Sequence, residues 1–299
     1  MTARVLGAIV TALLLQAPFR SGVDVVRVDV SVMRGGKPVA GLTAKNFTLT
    51  DNGVAQELTS ATLDQLPLNA ILVLDVSSSV AGEELAHLID AGQQLVRSLR
   101  PDDRVALVTF SEQVLVQKPL TADVASIARA LADLRGTGAT SMNDAIHVAL
   151  NLRPLDASRS IIIVFSDGED NLSWTTPAGL VDEAKRGGTV IHAIEMRTAA
   201  VAPLGTRSAA LKAQGYLDGV PVLQALATAA GGRVWSAGSS RDLRTLFTQA
   251  LEEMRARYLL TYTPKGVAQD GWHDLKVTLK DARGDVTARP GYGDSPKGQ

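Results

Sequence analysis

The chain has 299 residues, 45% of them apolar and 20% charged, so a disordered chain is not the default expectation. Lys and Arg total 30 against 31 Asp and Glu, and aromatics are only 4%, which speaks against nucleic acid, an anionic membrane surface or a base-stacking platform as the partner. No cysteine is present, which removes disulfides, thiol catalysis and Cys-ligated zinc.

Residues 1–21 read as a secretory signal peptide. Arg4 precedes an apolar run from Val5 to Leu15, too short to span a bilayer, and Ala17 suits the residue before the cut, although Pro18 after it fits poorly. The expectation is an exported protein, periplasmic, cell-surface or extracellular, with no transmembrane span in the mature chain. Residues 22–66 then read as β. Val26, Val28, Val30 and Val32 alternate with Arg27, Asp29 and Ser31, the period of a half-buried strand. Gly35-Gly36 marks a turn, Phe47 and Leu49 alternate again, and Asp51-Asn52-Gly53 is a hairpin turn.

Across residues 67–257 strands alternate with helices. "AILVLDV" is a continuous apolar run, as for a strand buried on both faces. From Glu83 to Arg100 the apolar residues recur at helical spacing. Strands are expected at 104–111, 114–117, 160–167, 189–196 and in "GRVWSA". Helices are expected near 123–134, 142–151, 177–186, 221–230 and 240–257, with a long loop at 197–220. This predicts an α/β fold, a doubly wound, mostly parallel sheet with helices on both faces. Residues 258–299 return to β, with Leu275, Val277 and Leu279 alternating with lysine and threonine. Each β segment is small for an independent domain. The economical arrangement pairs the two in one β-sandwich-like module with the α/β domain inserted. The alternative is two flaps on the edges of the core.

Open α/β sheets bind ligands beyond the carboxyl ends of their strands. Asp75, Ser77 and Ser79 follow the first core strand. Asp167, in "SDGEDN", sits at the matching end of "IIIVFS", and "GTGATSMNDAI" brings Thr140 and Ser141 to a helix start. Two carboxylates with several hydroxyls and no imidazole suit a hard cation, Mg²⁺, Mn²⁺ or Ca²⁺. A helix cap explains Asp75 or one serine, but not the matched Thr140 and Asp167. A serine nucleophile lacks a base, because His87, His147, His192 and His273 fall outside these loops. A phosphate cradle lacks its Gly-rich loop and lysine.

The set Asp75-x-Ser77-x-Ser79, Thr140 and Asp167 resembles the metal-ion-dependent adhesion site of von Willebrand factor type A (VWA) domains, with all five positions filled. The resemblance covers about residues 69–257. It implies a Rossmann-like sheet with one antiparallel edge strand, here "VLVQ". It also implies that Ser77, Ser79 and Thr140 coordinate through hydroxyls, while Asp75 and Asp167 act directly or through water. The flanking β segments are similar to the secreted bacterial, acidobacterial-type, VWFA-related family, which extends the resemblance to nearly the whole mature chain.

What this implies is a binding and adhesion module, not an enzyme. It would hold a divalent cation, Mg²⁺ first, whose coordination is completed by an Asp or Glu carboxylate of a protein partner. Ser141, Glu169 and Trp174 are the candidate rim contacts. Two rivals are a metal-assisted hydrolase and a structural VWA scaffold whose β module does the binding.

Overall fold

The structure, a computed structural model, describes residues 25–63, 66–154, 158–196, 216–217, 220–268 and 270–293. The expected signal segment and most of the 197–220 loop lie outside the described residues.

Among the described residues five strands come first: β1 (Val26–Arg34), β2 (Lys37–Pro38), β3 (Phe47–Asp51), β4 (Val54–Gln56) and β5 (Leu58–Leu63). The β3–β4 turn carries Asn52 at φ 46° and Gly53 at φ 79°. Two left-handed residues in succession form the tight hairpin whose twist matches the strands, and Asn-Gly is the pair that tolerates it best.

The α/β core begins with β6 (Leu68–Asp75), every residue of which is buried. It continues through α1 (Glu83–Arg97), β7 (Arg104–Phe110), β8 (Val114–Thr121), α2 (Val124–Ala132), α3 (Met142–Asn151), β9 (Arg159–Ser166), α4 (Pro177–Gly187) and β10 (Val190–Met196). A short hairpin, β11 (Tyr216–Leu217) with β12 (Val220–Pro221), precedes α5 (Val222–Ala229), β13 (Val234–Ala237) and α6 (Leu243–Arg255). The sheet runs β13-β10-β9-β6-β7-β8, parallel except for β8, which lies antiparallel to β7. The edge strand is longer than the expected 114–117 because it runs on through Pro119, a residue an edge tolerates since no neighbour needs its N–H.

Alternation along the strands divides the core. Leu72 and Leu74 pack with α1, α2 and α6 through Leu88, Leu95, Leu131 and Phe247. Ile71 and Val73 face α3, α4 and α5 through Ile146, Leu180 and Leu226. Each such fully buried aliphatic contributes about 1.5–3 kcal/mol of transfer free energy. The order of the strands positions the site. From central β6 the chain moves to β7 and β8 on one side, then returns to β9 on the other. The crevice this reversal opens lies above the C-terminal ends of β6 and β9.

After α6 come β14 (Tyr258–Tyr262), β15 (Trp272–Leu279), β16 (Asp285–Ala288) and β17 (Gly291–Gly293). They pair with the N-terminal strands. One sheet runs β16-β1-β14-β5, with β2 on β1, and the other runs β17-β15-β3-β4. Val28, Val30, Leu260 and Tyr262 of the first sheet meet Phe47, Leu49 and Leu275 of the second in one buried cluster, a β-sandwich made from both ends of the described chain.

Candidate metal centre

Asp75 is the last residue of β6 and fully buried. Its Oδ1 accepts the N–H of Ser77 at 2.9 Å, which folds the segment back on itself, and its Oδ2 accepts the Ser166 hydroxyl at 2.9 Å. Ser77 is buried while Ser79 is exposed, and their hydroxyl oxygens stand 3.0 Å apart. Ser78 turns elsewhere: its N–H and its hydroxyl both donate to Gly138 O, at 3.0 and 2.9 Å. That contact and Thr137 N–H to Val76 O at 2.8 Å tie the serine loop to the segment carrying Thr140.

Thr140 is held from the other side. Its N–H donates to Asn171 Oδ1 at 2.9 Å, and its carbonyl accepts the N–H groups of Asn171 and Leu172 at 3.0 and 3.1 Å. Asn171 belongs to the loop after β9, the loop that begins with Asp167. The three loops are therefore laced together by hydrogen bonds, with Thr140 between the other two.

Burial pushes the Asp75 carboxyl up to about 6, against the hydrogen bonds from Ser77 and Ser166, and the negative charge of Asp167 adds to the rise. Asp75 thus feels the like charge of Asp167 and lies beside the paired hydroxyl oxygens of Ser77 and Ser79. This donor set fits a hard divalent cation. Among the described residues no three His, Cys, Asp or Glu side chains cluster as a metal site, as expected when hydroxyls supply most of the donors.

In the surrounding shell, Ser166 is the residue sequence reasoning missed. Ser166 continues the register in which Leu74 faces Phe165, so a hydroxyl at the end of β9 beside the end of β6 was the available signal. Asp170, buried, accepts Asn143 N–H at 2.7 Å and both the N–H and the hydroxyl of Ser173, at 3.1 and 2.7 Å. Asp144 accepts the N–H groups of Trp174 and Thr175 at 3.0 and 2.8 Å, and these bonds lower its carboxyl against the effect of partial burial. Asn143 is also buried, and its Oδ1 has no protein partner.

The rim candidates differ sharply. Ser141 is only 4% exposed and presents little surface. Glu169 is exposed, with its N–H donated to Asp167 Oδ1 at 3.0 Å. Trp174 is 94% exposed. All four histidines are engaged away from the crevice: His87 with Ser240, His147 with Glu183, His192 with Glu253 and His273 with Asp51. Among the described residues no helix is long and apolar enough to cross a membrane.

Residues 70–169 match the family model of the von Willebrand factor type A domain. The inter-alpha-trypsin inhibitor heavy chain H4 of Bos taurus is 25% identical over 145 residues, 44% of this chain and 16% of that protein. The chain thus spans about a sixth of the length of that relative. Two solved structures share the fold. A von Willebrand factor type A protein from Catenulispora acidiphila superposes with TM-score 0.51 at 14% identity, covering 87% of this chain and 76% of that one. Proximal thread matrix protein 1 from the mussel byssus, solved with a zinc-occupied MIDAS motif, gives 0.52 at 19% identity over 67% of this chain and 48% of that one. Strand order, crevice and family match agree that a von Willebrand factor type A domain lies in this chain, over residues 70–169.

Proposed function

We propose that this protein is a divalent-cation-dependent protein-binding module. Ser77, Ser79 and Thr140 would hold the cation through hydroxyls, Asp75 and Asp167 directly or through water, and a partner's Asp or Glu would complete the coordination. The observation that carries this reading is buried Asp75 at the mouth of the sheet, raised by the like charge of Asp167 and set beside the paired hydroxyls of Ser77 and Ser79. Mg²⁺ is the first choice because every donor is oxygen. With two carboxylates and neutral hydroxyls, a bound cation keeps residual positive charge and supplies an electrophilic centre for a carboxylate oxygen. The chain's own residues do the positioning: Ser166 orients Asp75, and Asn171 fixes the backbone of Thr140.

Binding rather than turnover is favoured because no imidazole reaches the crevice to act as a base. We divide the chain into a VWA domain at 67–257 and a β-sandwich built from 22–66 and 258–299. Export, expected from the apolar run at 5–15, sets the partner outside the cytoplasm. Titration calorimetry with Mg²⁺ and Mn²⁺ tests the site. Asp75→Ala and Thr140→Ala should each weaken binding at least tenfold, about 1.4 kcal/mol. Unchanged affinity in both variants would rule out the assignment.

A further inference from the structure

Trp174 is 94% exposed, and Leu172, two residues before it, is 46% exposed. Large apolar side chains are costly to leave in water, and a tryptophan this bare on a rigid support marks an interaction surface. Its support is rigid. The N–H of Leu172 donates to Thr140 O at 3.1 Å. The N–H groups of Trp174 and Thr175 both end on Asp144 in the first turn of α3. Between them, Ser173 is bonded through N–H and hydroxyl to buried Asp170, and its hydroxyl oxygen accepts the N–H of Asp144 at 3.1 Å. Four successive residues are thus pinned to the segment that carries a proposed metal ligand. None of these bonds uses the Trp174 or Leu172 side chain, so the network serves to display them.

Resting on the metal reading above, we propose that Leu172 and Trp174 form the specificity rim of the cation site. The partner segment they select carries an Asp or Glu followed or preceded closely by an aromatic or large aliphatic side chain. The chemistry of the surface argues for this occupant. Glu112, whose side chain lies against Gly138 two residues before Thr140, and Glu169, two residues after Asp167, are acidic and exposed, so the surface without its cation repels a carboxylate. Only the site itself takes the partner's charge, and the remaining contact beside it is apolar. With its backbone already held, Trp174 has only its side-chain torsions left to order on binding, and tryptophan is a common anchor residue in protein interfaces.

The probes are two synthetic capped peptides, one with a single Asp among glycines and one with the same Asp followed by Phe. Each is titrated into the full chain with Mg²⁺ and with EDTA. Calorimetry reads affinity, and acrylamide quenching, taken as the difference between wild type and Trp174→Ala because Trp235 and Trp272 also fluoresce, reads the shielding of Trp174. We expect the Phe peptide to bind roughly tenfold tighter than the Gly peptide. The preference should collapse in Trp174→Ala and shrink in Leu172→Ala while both variants keep wild-type Mg²⁺ affinity. Their side chains are exposed, so both variants fold. Equal affinity of the two peptides, or a preference that survives Trp174→Ala, overturns the rim. Peptide binding that persists undiminished in EDTA or in Asp75→Ala overturns the metal reading and the rim with it.

Discussion

At the residue scale, Asp75 is a buried carboxylate with a like charge, Asp167, among the groups that shift it. Burying an ion without a counter-charge costs several kcal/mol unless the group is neutralised or hydrogen-bonded. Ser77 N–H and the Ser166 hydroxyl offset part of that cost, and the carboxyl still stands at about 6 instead of the ordinary 3.8. A residue kept at a loss to stability is a candidate for a functional site. Asp75→Asn retains the shape: its oxygen can accept from Ser77 and its amide can donate to Ser166. In EDTA near neutral pH this variant should therefore be more stable than the wild type, by about 1–3 kcal/mol in urea denaturation. In Mg²⁺ the order should reverse, because saturation with ligand adds stability only to the protein that binds it. Equal stabilities in EDTA would mean that Asp75 is not strained by its burial.

At the element scale, the loop from Asp167 to Thr176 works as a brace between the end of β9 and the start of α3. Asp170 is its central acceptor. Asp170→Ala leaves Asn143 N–H and Ser173 N–H without their acceptor, a loss of about 1–3 kcal/mol for buried donors. The effect should be local: amides of Asn171 to Thr175 exchange faster with deuterium, and Mg²⁺ affinity falls through the loosened support of Thr140. Unchanged exchange in that segment would show that the brace is redundant. This shell also marks the limit of what the sequence reveals. Asp75 and Asp167 were legible because continuous apolar runs end on them, and strand ends at a topological switch point are where ligands gather. Asp144 in "SMNDAI" reads as an acidic residue favoured by a helix N-terminus, yet its carboxylate serves the backbone of Trp174 and Thr175, thirty residues away. No periodicity records such a contact, because it depends on how two loops meet in space. The same limit hid the bareness of Trp174, whose sequence neighbours are equally compatible with a packed indole.

At the scale of the whole molecule, α6 runs straight into β14, so the last core helix and the middle of the sandwich are one continuous segment. Their junction is fastened by a buried group of charges. Arg257, with no exposed surface, donates to both oxygens of Glu253 and to Gly231 O. Glu253 Oε2 lies 2.7 Å from His192 Nε2, and Arg233 approaches Glu253 at 3.8 Å. Burial alone would raise the Glu253 carboxyl, but Arg257 and His192 hold it well below the ordinary range. His192 is pushed down, first by burial and then by the charges of Arg257 and Arg233, against the pull of Glu253. Geometry adds a reason. Its Nδ1 accepts the N–H of Arg233 at 3.0 Å, so the proton sits on Nε2, and a second proton would have to displace that bond. The unfolded chain protonates this imidazole near 6.5, the folded chain only at lower pH, so the unfolded state binds more protons in between. Its contribution is intact above 6.5 and is lost as the pH falls below that value. Glu253 adds a loss in the same direction, but only below its unfolded value of 4.5. Between about pH 7 and about pH 5 the wild type should therefore lose stability relative to His192→Gln, with a slope approaching 1.4 kcal/mol per pH unit. Gln can still donate to Glu253 but cannot take up a proton. Urea denaturation of both proteins at matched ionic strength reads the difference. A constant gap across that range would mean that His192 is protonated alike in the folded and unfolded chains.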